Sequence, residues 1–203
     1  MKTAPNKAPL IVLLFCLVVL PLAAQTGKFY STNNELSSSL INQIFQDKRG
    51  FIWIATEYGL NRFDGLRFSN YKHMSGDSTS IKNNYVRTLY EDSRQNLLVG
   101  CIDGLMKYDS ETDTFREIPM IRAGKQVFPH VTQMQKLHNG EIWAVTTGQG
   151  IFRLDEEKQQ AVSIDAIMKQ VNYNFQSNLY EDSDYNIWIG TEGHGLICYL
   201  PAT

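Results

Sequence analysis

The sequence lacks most of what would announce chemistry. Its 203 residues hold no glycine-rich phosphate loop and no nucleophile elbow. The four histidines, His73, His130, His138 and His194, are scattered without the spacing of a zinc site. Nothing approaches the dense carboxylate pattern of a calcium loop. The reading is therefore no cofactor, no metal and no enzyme. Charge of one sign is also missing: the net charge is −2, so nucleic acid is not an expected partner. No segment reads as a convincing amphipathic helix, although 165–171 has room for one short turn. Cysteine is scarce, at Cys16, Cys101 and Cys198. The last two fall at different positions of different repeats. They read as small buried hydrophobes rather than a disulfide pair, although export would permit one.

Long apolar runs are limited to one. Lys2 and Lys7 precede the continuously apolar stretch 10–20, and Pro21-Leu22-Ala23-Ala24 then offers small residues for cleavage. Residues 1–24 read as a secretory signal peptide. A retained anchor would need ~20 apolar residues, and no second such stretch follows.

What the sequence does have is a period. Trp53, Leu98, Trp143 and Trp188 stand 45 residues apart. Each sits in a short apolar, β-branched run, followed by a turn and a second alternating run. A fixed period between roughly 20 and 50 residues means stacked supersecondary units. Each copy reads as four antiparallel strands, the size of one propeller blade. The predicted fold is all-β, a β-propeller of about four blades near 40–71, 85–118, 130–165 and 175–200, within a domain spanning 25–203. Connectors at 73–84, 119–129 and 166–174, rich in Pro, Gly, Ser and Asn, read as surface loops. Gly59, Gly104, Gly150 and Gly195 each precede the third strand of a copy and are expected at positive φ. Residues 28–32 occupy the slot of a fourth strand with no blade of its own. They are expected to complete the last blade if the arc closes. With so few blades, the chain is read as a partial propeller.

The residues Gln46-Asp47-Lys48-Arg49-Gly50-Phe51-Ile52-Trp53, continuing to Gly65, resemble the two-component regulator propeller repeat. So do 90–100 and 180–196. The resemblance spans about 28–200. It implies the periplasmic sensor region of a hybrid sensor histidine kinase, of the kind that responds to glycan fragments. An oligosaccharide ligand and the rest of a sensor kinase are the partners it implies, with the membrane reached only through downstream sequence. Kinase and receiver domains are absent from these residues, and the third copy departs from the pattern, with Lys136-Leu137-His138-Asn139 where the others have a turn aspartate.

Candidate ligand-binding residues follow from the turn between second and third strands. In a propeller this turn shares a face with the loop entering the next blade. Here it carries Glu57, Tyr58, Asp103, Gln149, Glu192 and His194. The recurring tryptophans are read as packing residues, since Leu98 fills the same slot. Asp64, Asp109 and Asp155 are read as turn caps. The leading reading is a ligand-sensing module without chemistry. The alternatives are a protein-docking scaffold, and a propeller lyase or glycosidase using Glu57 and Glu192 as its carboxylate pair.

Overall fold

The computed structural model describes residues 27–164, 176–191, 193 and 195–200. The signal peptide, the helical turn at 165–171 and candidates Glu192 and His194 lie outside these residues. The first blade is β1 (Ile41–Gln46), β2 (Ile52–Thr56), β3 (Gly59–Phe63) and β4 (Phe68–Tyr71), in that order. The second is β5 (Val86–Glu91), β6 (Leu97–Cys101), β7 (Gly104–Asp109) and β8 (Thr114–Ile118). After β9 (Met120–Arg122) and β10 (Lys125–Val127), the third blade comprises β11 (His130–Lys136), β12 (Ile142–Thr147), β13 (Gly150–Asp155) and β14 (Gln160–Ser163). The fourth contains β15 (Gln176–Glu181), β16 (Ile187–Thr191) and β17 (Leu196–Tyr199). Within each blade every neighbouring pair is antiparallel. A 3-10 turn at Thr32–Asn34 is the sole helical element among the described residues.

Register repeats as faithfully as sequence. Trp53, Leu98, Trp143 and Trp188 lie opposite Phe45, Tyr90, Gln135 and Tyr180. The first strand of every blade shifts register at the same rung, between Ile41 and Gln43, Val86 and Thr88, Val131 and Gln133, and Gln176 and Asn178. Such a bulge turns the strand end and increases its twist. Gly59, Gly104, Gly150 and Gly195 all have positive φ. At Gly59 a β-carbon would also meet the Tyr71 carbonyl at 2.8 Å, so both conformation and space demand glycine.

Successive blades pack face to face. Trp53, Ala55 and Leu60 of the first meet Val86, Leu89 and Val99 of the second. Leu98 and Leu105 of the second meet Val131, Met134 and Ala144 of the third. Trp143, Val145 and Ile151 of the third meet Leu179, Ile187 and Ile189 of the fourth. Trp53 and Trp143 are buried and Trp188 is half-buried, which fits their expected packing role.

The indole nitrogens explain the turn aspartates. Trp53 Nε1 donates to Asp47 Oδ2 and Trp188 Nε1 to Asp182 Oδ2, both at 2.8 Å. The other oxygen of each aspartate accepts turn amides, Phe51 N at 3.0 Å and Asn186 N at 2.9 Å. In the third blade Leu137 replaces the aspartate, and Glu141 Oε2 takes the Trp143 indole instead at 2.9 Å. In the second, the Leu98 side chain has no N–H to offer, and Asp92 Oδ2 accepts from Asn96 Nδ2 at 2.8 Å, as Asp182 Oδ2 also accepts from Asn186 Nδ2 at 3.0 Å.

Three sequence expectations need correction. The connector 119–129 is a hairpin, not a loop. β9 pairs with β10 across Ala123 and Gly124, both at positive φ, and runs parallel to β14, extending the third sheet to six strands. Residues 28–31 form no strand and do not complete the fourth blade. Tyr30 instead packs on Phe63 and Phe68 of the first blade, with ring centroids 5.6 and 5.2 Å away. Cys101 is buried as expected, but Cys198 is exposed, because nothing described covers the outer face of β16 and β17.

Candidate functional site

The turns between second and third strands share one end of the array with the connectors entering the next blade. Residues 82–85, just before β5, run across them and gather the candidates. Gly59 N donates to Asn84 O at 2.7 Å. Asn83 Nδ2 donates to Asp103 Oδ2 at 3.3 Å. Tyr85 Oη donates to Glu57 Oε1 at 3.4 Å, and its ring meets the His130 ring edge-on at 5.7 Å. Lys82 lies over the half-exposed Phe128 ring at 3.8 Å and pairs with Glu117 at 2.8 Å. The result is a polar seam with aromatic edges across the first three blades.

The structure thus unites Glu57 and Asp103 through one short strap. Asp103 Oδ1 is buried without a hydrogen-bond partner among the described residues, an unusual state for a carboxylate oxygen. Beneath it, burial and then the Asp103 charge push the Cys101 thiol up to about 12, so this cysteine is inert. Tyr58 stands exposed at the rim with Lys72 Nζ 4.5 Å above its ring. Gln149 lies apart from the strap and accepts from Arg122 of β9 at 3.0 Å.

Tyr85 and His130 were not among the sequence candidates. Each stands at the entrance to a first strand, 45 residues from the other, so the period carried a signal for them. Asn83 and Arg122 lie in connectors, where the period carries none.

An ion pair ringed by aromatic side chains lies at the opposite end and is satisfied within itself. Asp113 accepts from Tyr71, Tyr108 and Arg62. The Arg62 guanidinium lies over Phe51, Trp53, Tyr71 and Tyr108. Partial burial works against the Asp113 charge, but the hydroxyl donors and Arg62 outweigh it and the carboxyl titrates below its usual range. Burial, then the Asp113 bond, pushes the Tyr71 phenol up. This is a clamp between first and second blades. Asp64, Asp109 and Asp155 accept backbone amides of their own turns, as expected for caps.

The two-component regulator propeller family matches residues 35–58 and 170–193. Histidine kinase P4 of Formosa agariphila is 40% identical over 74 residues, which are 34% of this chain and 5% of that protein. The extracellular domain of a hybrid two-component system from B. thetaiotaomicron superposes with a TM-score of 0.72 at 27% identity, over 83% of this chain and 24% of that one. A second extracellular domain from that organism gives 0.64 at 23% identity, over 86% and 23%, and at this identity the likeness is one of fold. The chain spans no more than about a quarter of the relatives it matches here. Its sheets recur every 45 residues with the fold of β-propeller blades, and the two-component regulator propeller repeat is matched in the sequence of the first and the fourth.

Proposed function

We propose that the chain is a ligand-sensing part of a periplasmic propeller in a two-component hybrid sensor. Its ligand is a glycan fragment, and it performs no chemistry of its own. The observation that carries this reading is the strap at 82–85, which draws Glu57, Tyr85, Asp103 and His130 from three blades into one seam. Hydroxyl-rich ligands are recognised by such a mixture. Carboxylates and amides accept and donate, and Tyr58 and Phe128 stand exposed at the rim. Similarity to extracellular sensor domains supports the periplasmic placement. Signalling output belongs to the remainder of a longer sensor.

A ligand that binds only the folded state raises the melting temperature. An oligosaccharide panel should therefore contain a sugar that stabilises the purified chain. Asp103→Asn and Tyr85→Phe, both near-isosteric, should abolish that shift while moving the unliganded melting temperature by only about 2–4 °C, the size expected of a change of about 1 kcal/mol in a chain of this length. A folded chain stabilised by no saccharide would overturn the proposal.

A further inference from the structure

The hairpin in the second connector holds two like charges against each other. β9 and β10 are joined by the two-residue turn Ala123-Gly124, at φ 48° and 74°, both positive as the tightest hairpin turns require. That register sets Arg122 directly opposite Lys125. Directly opposed residues of an antiparallel pair share one face, with β-carbons about 5 Å apart. Met120 and Val127, also opposed, lie on that same face two residues further from the turn. They pack into the core between second and third blades, so the face is turned toward the blades. Arg122 and Lys125 continue it beyond the core, at the end of the array that carries the ligand seam.

Like charges directly opposed on two strands are destabilising. Among the described residues no carboxylate lies within ion-pair distance of either cation. Glu117 is engaged from the other face of the hairpin, where Gln126 donates to it at 2.9 Å, and it pairs with Lys82 of the strap at 2.8 Å. The half-buried Arg122 donates to Gln149 Oε1 at 3.0 Å, a neutral amide that orients the guanidinium without balancing its charge. We infer that Arg122 and Lys125 bind an oxyanion of the ligand, a carboxylate or sulfate ester on an acidic sugar, with Gln149 as the positioning residue. The inference rests on the ligand-sensing reading above and narrows its glycan to an acidic one. A guanidinium presents forked N–H groups to the oxygens of such an anion, and an anion beside both cations turns their repulsion into attraction.

The test has two readouts on the purified chain. Without ligand, Lys125→Gln should raise the melting temperature by about 1–3 °C, because the repulsion is removed, and the gain should shrink in high salt. No gain, or a loss, would mean that the two cations do not oppose each other and would overturn the inference. With ligand, an acidic oligosaccharide should raise the melting temperature more than the same sugar after its carboxylates are reduced to alcohols or its sulfates removed. The two treatments separate a carboxylate from a sulfate as the group bound. Arg122→Gln and Lys125→Gln should each erase the difference between charged and neutral members. A wild type that responds equally to both members, or variants that keep the difference, would refute the acidic ligand and leave glycan sensing standing. A wild type that responds to neither would remove glycan sensing, and this inference with it.

Discussion

Cys101 occupies the rung that threonine fills elsewhere. Thr56, Thr146 and Thr191 each donate Oγ1 across the turn to the carbonyl of Gly59, Gly150 and Gly195, at 2.6 to 2.7 Å. Cys101→Thr should restore this bond in the second blade and add about 1 kcal/mol of stability by urea denaturation. Asp182 offers a pH-dependent case. The Trp188 indole, then the Asn186 amide, hold its carboxyl down to about 2. A native pKa below the unfolded value of about 3.9 means the contribution is complete above that value and is lost as pH falls toward 2. The melting-temperature gap between wild type and Asp182→Asn should therefore be constant above pH ~5 and shrink steadily below pH ~4. A gap independent of pH would deny the carboxylate this role.

Between elements, two glutamines act as extra ladder rungs joining blades. Gln43 donates to Leu89 O and accepts from Leu89 N at 3.1 and 2.7 Å, and Gln133 does the same with Leu179 at 2.9 and 2.6 Å. Gln43→Ala leaves both Leu89 groups without their partner and should cost about 1–3 kcal/mol, with Gln133→Ala costing the same and the two adding in the double variant. The corresponding residue of the second blade, Thr88, is too short to reach, and packs against Gly100 instead. None of this was legible in the sequence, because a lone glutamine in a strand looks like any solvent-facing residue. Strand order and blade count were legible, since an apolar run, a turn and a glycine recur at one interval. The β9–β10 hairpin was hidden for a different reason. Its strands are three residues long, its turn is Ala123-Gly124 rather than Asn-Gly, and Pro119 and Pro129 flank it with the chemistry of a loop. In the candidate site, Glu57 and Asp103 could be read because they lie in the corresponding turns of successive blades. The strap that unites them could not, since its partners lie in connectors that keep no period.

At the scale of the molecule, exposure separates positions that the repeat makes equivalent. Ile44 and Leu89 stand 45 residues apart in the same strand register, yet Ile44 lies on an open end face and Leu89 is 1% exposed between blades. Ile44→Asp should leave thermal unfolding nearly unchanged. Leu89→Asp places a charge in an apolar seam and should cost more than about 4 kcal/mol, enough to abolish cooperative folding. Near-equal effects would mean that the seams, and not the sheets alone, are wrongly drawn. A shared register has one more consequence, in descent rather than energy. Because each seam presents nearly the same surfaces, a gene that duplicates or drops one full unit leaves every surviving joint serviceable. Loss of a single codon inside a strand instead swaps its inward and outward side chains. Lineages carrying this repeat should therefore differ by whole blades, with stray one-residue changes confined to turns.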